Sequence, residues 1–510
     1  MKILFESALT INREIKKLIS KDALSSFSTT NYQGDNANYC TSLFSDHLID
    51  PNESNRMFLL YMGKQLFDWA EKNLQNGYFK MEDAHHGAEL FLGFLPRYID
   101  LFPEDSKAKE LIINVANYTG NWNNINDEWY NYSLKNFNSW RFGSAGIDQS
   151  DHYKFNTADH LRFVHISLLA WHISSDEKYL DWSLNYSREF AKRIVESNEI
   201  IPVAWDCNWN KFFSADMKSP EEQFLAANHH HLKQDPISGI ENLVASGAVY
   251  IFGQMYIITK DNIFLNASTK IVKNLIPFLT KPQSDNVGII ISYYRNIFSD
   301  YSYDKFILDS LSQIPPSDSS EIMLAFPQTE KVRKSGLGNR KDMIYWFTFD
   351  LLGSKEFQEP PTSYFSLLYN ITGKAEYAER AFSTAAKKIK IASSLLRSGF
   401  EHSDSGKHLS SVISGHGRNW GVGAVTGCYS KLIVGSNENL GIADYLIKFN
   451  SPTLKVGCLP LIRELPDNKS ELTLYNYSNK KNSIKFVYKN YKENKLEIQP
   501  NSVFKIILEN

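Results

Sequence analysis

Two apolar patterns alternate along most of the chain. An apolar stretch ends in a short polar turn, and a second stretch follows with apolar residues every three or four positions. The clearest copies span 168–180 through Ser174-Ser175-Asp176, 255–265 through Lys260-Asp261-Asn262, and 368–378 through Thr372-Gly373-Lys374. Looser copies surround 101–105 and 432–440, and further ones are expected near 51–55 and 300–304. Each predicts a helical hairpin, because a short polar turn between two helical periods leaves its neighbours antiparallel. The second member of a pair is amphipathic: Trp182, Tyr186, Phe190 and Ile194 recur at helical spacing, with Asp181, Ser187, Arg188 and Lys192 between them. The first member is different. In 239–250 and 421–427 small and apolar residues occur all round, which suits a helix buried on most sides.

Inner helices alternating with outer ones predict a mainly α protein, an α/α toroid of six to seven helical hairpins over residues 1–450. An open superhelical array shares the hairpin and differs in whether the ends meet. After about Ser451 the period changes to two, in 471–477, 483–488, 495–498 and 502–508, with polar turns such as Ser478-Asn479-Lys480 between them. These strands predict a small C-terminal antiparallel, sandwich-like β domain over 451–510.

Composition narrows the function. The 510 residues carry 55 Lys+Arg against 57 Asp+Glu, a net charge of −2, so no basic surface for nucleic acid is expected. No apolar run approaches the roughly 18 residues of a membrane span, and the N-terminus lacks a secretory apolar region. The expectation is a protein with no membrane association, cytoplasmic as given and periplasmic or secreted if a signal peptide was trimmed. Cys40, Cys207, Cys428 and Cys458 lie far apart without short Cys/His spacing, so neither a disulfide framework nor a metal site is expected, and no cofactor. Aromatic residues make 14% of the chain.

If the short turns lie at one end of the hairpins, the segments entering the first helices lie at the other, and those segments hold the unusual polar residues. They are 81–89 with His85 and His86, 141–162, 228–241, 359–364 and 414–420. Counted back from the turns, His86 precedes Asp105 by 19 positions, Glu241 precedes Asp261 by 20, Arg418 precedes Asn437 by 19, and Asp159 precedes Asp176 by 17. Similar offsets give similar depth, so distant hairpins are expected to aim polar groups at one basin. Helix-start carboxylates also suit the macrodipole without any function. His229-His230-His231 reads as a surface loop, since three consecutive residues cannot all face one ion. The run 421–427 is superficially a dinucleotide loop but follows no strand. His416, Arg418, Asn419 and Trp420, with two glycines, suit a sugar: an indole for its C–H face and a guanidinium for a carboxylate or hydroxyl pair.

The hairpin phrases, with turns such as Ile371-Thr372-Gly373-Lys374 followed by Ala375-Glu376-Tyr377, resemble those of helical-toroid carbohydrate enzymes, the six-hairpin glycosidases and the toroid polysaccharide lyases with a C-terminal β domain. The resemblance covers about residues 50–450. It is architectural, matches no family's catalytic motif and transfers no residue. It implies an oligo- or polysaccharide substrate. A hydrolase acting on uronic-acid-containing glycans needs one protonated and one ionised carboxyl, for which Asp159, Glu241 and Glu89 are candidates, with Asp151 behind them. A lyase instead removes the proton beside a neutralised uronate, work for His152, Tyr153, Asn156, Arg162, His416 and Arg418. The leading expectation is the hydrolase, with Asp159, Glu241, His86, His152, Tyr153 and His416 catalytic and Trp140, Asn156, Arg162, Arg418, Asn419 and Trp420 holding substrate. The lyase and a catalytically inert glycan- or protein-binding ring are the alternatives.

Overall fold

The computed structural model describes residues 2–22, 34–89, 91–123, 128–219, 222, 235–279, 286–313, 322–325, 344–347, 362–395, 424–437, 444–489 and 493–509. Its helices are α1 (Lys2–Asp22), α2 (Gly34–Ile49), α3 (Glu53–Asn73), α4 (Ala84–Glu89), α5 (Phe94–Leu101), α6 (Ser106–Thr119), α7 (Arg162–Ser174), α8 (Glu177–Val195), α9 (Ile237–Ala245), α10 (Ala248–Thr259), α11 (Asn262–Leu275), α12 (Asn286–Ile297), α13 (Asp304–Leu311), α14 (Thr362–Thr372), α15 (Ala375–Leu395) and α16 (Lys431–Val434). The chain divides into two compact units, one of Met1–Met62, Phe278–Glu438 and Asp444–Asn510, the other of Gly63–Pro277 and Asn439–Ala443.

Expected hairpins appear as α5/α6, α7/α8, α10/α11 and α14/α15, whose helices pack on each other; near 51–55 and 300–304 the structure has the successive helices α2 then α3 and α12 then α13. The turn chemistry explains why. Ser175, Lys260 and Gly373 take φ of 55°, 56° and 67°, the left-handed conformation that closes a helix. Asp176 and Asp261 then cap the next helix by accepting from the backbone N–H of Lys178 and Ile263, as Asp105 does from Ala108. The inner and outer distinction also holds. Every residue of α7 from Arg162 to Ala170 is buried, whereas α8 buries one face, with Ser187 joining Trp182, Tyr186, Phe190 and Ile194 on it.

Within the unit Gly63–Pro277, α6 packs on α7, α7 on α8, α8 on α11 and α10 on α11. Within the other, α12 packs on α14, and α14 and α1 on α15. Two helical expectations change. Residues 239–250, read as one helix, break at Ser246-Gly247: Gly247 takes φ of 72° and α9 and α10 meet at 64°. That bent pair matches a membrane span by length and composition only, and both helices are largely buried; no single described helix is long and apolar enough to cross a membrane. At 432–440 no second helix follows α16 among the described residues. Instead the N–H of Leu446 donates to the carbonyl of Val434 and the chain enters a strand. Residues 424–430 form a π-helical turn before α16.

The strands of the Gly63–Pro277 unit are short: β1 (Glu82–Asp83), β2 (Tyr130–Asn131), β3 (Asn136–Phe137), β4 (Arg141–Gly143), β5 (Gly146–Ile147), β6 (Phe155–Thr157), β7 (Ala204–Asp206) and β8 (Lys211–Phe212). In the other unit β9 (Ile322–Ala325) pairs in parallel with β10 (Ile344–Phe347). The C-terminal region forms two antiparallel three-stranded sheets, one from β11 (Ile447–Phe449), β14 (Asn482–Tyr488) and β15 (Glu493–Ile498), the other from β12 (Cys458–Glu464), β13 (Ser470–Asn476) and β16 (Ser502–Leu508). Sequence periodicity found four of these strands and missed β11 and β12. Strand β12 buries five consecutive residues and so lacks alternation, and it carries Pro460, tolerated because β12 is an edge strand.

Candidate functional site

A polar cluster lies in the unit Gly63–Pro277, where β1 leads directly into α4. Strand β1 pairs with β4, placing Glu82 opposite Phe142 and Asp83 opposite Arg141. The sheet closes tightly because Gly143 lies against the backbone of Phe79, where an added Cβ would stand 2.5 Å from the Phe79 carbonyl oxygen. The N–H of Ala84 donates to the Trp140 carbonyl at 3.0 Å, fixing the start of α4 against β4.

Asp83 organises this start. Its Oδ1 accepts from the backbone N–H of His86 at 2.8 Å, and its Oδ2 lies 2.9 Å from His86 Nδ1. Glu82 Oε1 accepts from the Asp83 N–H at 3.0 Å. One ligand atom from each of Glu82, Asp83 and His86 lies within 4.8 Å of the others, so this is the group, among the described residues, with a donor set able to hold a divalent cation. Burial raises the Glu82 carboxyl above its ordinary range, and the neighbouring Asp83 charge raises it further.

Behind this cluster sits a buried set of charges. His85 Nδ1 and Arg162 Nε each lie 3.4 Å from Asp159 Oδ1, and the three side chains are 3%, 0% and 0% exposed for His85, Arg162 and Asp159. Asp159 is carried by a 3-10 turn, Ala158–Leu161, that runs into α7. Helices α4, α7, α9 and α10 all pack on this turn, and Glu241 of α9 is buried. The turn is held by His160, whose Nδ1 accepts from the Thr157 N–H while its Nε2 lies 3.1 Å from the Ser139 carbonyl. Burial lowers His160 to about 4 and His165 to about 3, with Arg162 reinforcing the latter, so both imidazoles are neutral near pH 7.

The structure thus brings together the elements carrying His86, Asp159, Arg162 and Glu241. Asn156 is buried in β6 and accepts from the Tyr186 hydroxyl at 2.9 Å. Trp140 is buried too, with its ring parallel to that of Tyr153 at 6.3 Å, so the indole expected to meet a sugar packs inside the unit. Tyr153 is half-buried and His152 exposed, on the 3-10 turn Asp151–Tyr153. His416, Arg418, Asn419 and Trp420 lie outside the described residues, as do His229, His230, His231 and the side chain of Glu89. Sequence reasoning passed over Glu82, Asp83 and Arg141. The spacing of Asp83 before His86 is that of an N-cap and was available as a signal; the register that sets Arg141 opposite Asp83 was not.

No protein-family model matches the chain, and no curated protein does. Among solved structures it is similar to a glycoside hydrolase family 76 (mannosidase) from Bacteroides thetaiotaomicron, with a TM-score of 0.36 and 9% identity, covering 62% of this chain and 88% of that one.

Proposed function

We propose that the chain is a glycan-cleaving enzyme, a glycoside hydrolase of the α/α-toroid type acting on uronic-acid-containing oligo- or polysaccharides. The observation that carries this reading is the Glu82 carboxyl, raised by burial beside Asp83 where β1 runs into α4. Burial and the adjacent Asp83 charge raise the Glu82 carboxyl above its ordinary range, the direction that suits the general acid of glycosidic cleavage. Glu82 then protonates the departing oxygen. Asp83, engaged by His86 and within 4.8 Å of Glu82, is too near to share an attacking water with it across a sugar ring, a task that needs about 6.5–9.5 Å. Glu241, buried on α9 where that helix packs on the same 3-10 turn as α4, is assigned the base role, with inversion at the anomeric carbon as the stereochemical expectation. Asp159, with Arg162 and His85 against it, positions α4 and the 3-10 turn rather than touching substrate.

A reducing-sugar assay over a glycan panel tests this. Glu82→Gln and Glu241→Gln should each lower kcat by at least about 100-fold with unchanged circular dichroism. Full activity in both variants overturns the assignment. One observation favours a second reading: the His85 imidazole oriented by Asp159 is also the arrangement of a general base, which would suit β-elimination at a uronate. Products absorbing in the ultraviolet through a new conjugated double bond would select the lyase, and reducing ends without absorbance the hydrolase.

A further inference from the structure

The geometry points to Arg141 as the residue that selects anionic substrates, by offering its guanidinium to a carboxylate beside the Glu82–Asp83 pair. This inference rests on the glycan reading above. Arg141 lies directly across the strand pair from Asp83, where opposite residues stand about 5 Å apart at Cα. Its side chain is 39% exposed, and the guanidinium lies over the Tyr153 ring at 5.5 Å. Tyr153 in turn packs parallel to the buried Trp140, so the arginine rests on a fixed aromatic layer. Cation–π support of this kind holds the planar fork without occupying its N–H donors.

The protein leaves those donors largely uncommitted. The nearest carboxylate oxygen, Asp148 Oδ2, is 3.8 Å away, a salt bridge too long for a hydrogen bond, while Asp148 Oδ1 already accepts from the Ser150 N–H. Lys154, next to Tyr153 in sequence, is committed: it donates to Asp151 at 2.6 Å. A neutral sugar reaching Glu82 meets no electrostatic obstacle. A uronate approaching Asp83 meets a like charge, and Arg141 is the group placed to offset it through a bidentate, charge-assisted pair. Arg141 therefore matters for the acidic substrate and little for its neutral counterpart.

Binding measured by titration calorimetry tests this without turnover. The probes are oligosaccharides of galacturonate, glucuronate and mannuronate, each paired with its carboxyl-reduced form, titrated into full-length Glu82→Gln protein. At least one uronate should bind about 10- to 100-fold more tightly than its reduced form. Adding Arg141→Gln should abolish that preference while leaving the reduced form's affinity unchanged, and Arg141→Lys should restore part of it. Equal binding of both forms, a preference that survives Arg141→Gln, or equal loss for both forms overturns the inference. A uronate preference that depends on Arg141, in a wild-type protein that cleaves none of the panel, leaves this inference standing and removes the hydrolase. Cleavage without acidic preference does the reverse.

Discussion

Asp46 in α2 is fully buried, yet it accepts hydrogen bonds from the side-chain amides of Asn12 and Asn55. Lys16 and Asp50 lie within electrostatic reach, and Tyr429 has its own hydroxyl pushed up by burial and by these carboxylates. Desolvation is the largest influence on Asp46 and raises it from 3.8 to about 7. The folded chain therefore holds a proton that the unfolded chain releases, and stability falls as pH rises through the window from 3.8 to about 7. At about 1.4 kcal/mol per pH unit, the charged form costs about 4 kcal/mol once the pH exceeds that window. Asp46→Asn is neutral at every pH, so its stability relative to wild type should improve by about 4 kcal/mol between pH 4 and pH 8. The difference is the quantity to measure, because His160 and His165 act oppositely, withdrawing stability as pH falls below the ordinary histidine range. Urea unfolding of both proteins at five pH values gives it. A difference that varies by less than about 1 kcal/mol across the window would refute burial as the origin of the shift.

Gly63→Ala should destabilise by about 2 kcal/mol or more, read as a lowered urea midpoint, because the new methyl would stand 2.2 Å from the Tyr98 ring, itself anchored by its hydroxyl to Asp105 at 2.6 Å. An unchanged midpoint would mean the ring can move aside. Asp261→Ala removes the cap on Ile263 and the Arg188 pair at 3.0 Å and should cost about 1–2 kcal/mol, whereas Arg188→Ala, losing the exposed pair and a contact over the Phe264 ring at 6.0 Å, should cost under about 1 kcal/mol. Equal losses would assign the energy to the ion pair instead. Lys431→Gln strands Glu464, its partner at 2.9 Å in a nearly buried pair, and should cost about 3–5 kcal/mol by the same measurement. Replacing both by apolar residues should recover most of that.

The hairpins were legible because their signals are local. A left-handed residue followed by a capping aspartate, as in Ser175-Asp176 and Lys260-Asp261, is written in adjacent positions. The break between α9 and α10 was less legible, since Gly247 in an apolar run reads as close packing unless its φ is known. Strand β12 escaped because burial on both faces erases the period of two. The polar cluster was half visible. Shared offsets from the turns picked out the elements bearing His86, Asp159 and Glu241, but the buried contact of His85 with Asp159 joins positions 74 apart, and no pattern announces such a partner. Trp140 was read as a sugar platform from its place among polar loops; that it is buried and lies parallel to Tyr153 could not be read from those neighbours.

The unit that holds both chain ends is assembled from three separate stretches, and its first stretch contacts the last: the Thr453 hydroxyl donates to the carbonyl of Ile49, 404 positions earlier. A ribosome adding about 5–20 residues per second needs about 20–80 s to cover that distance. Helices α1 and α2 therefore emerge long before α15 and the terminal sheets exist, whereas the stretch Gly63–Pro277 emerges as one uninterrupted piece. Closure of the three-stretch unit therefore has to wait for the last of its stretches to be made.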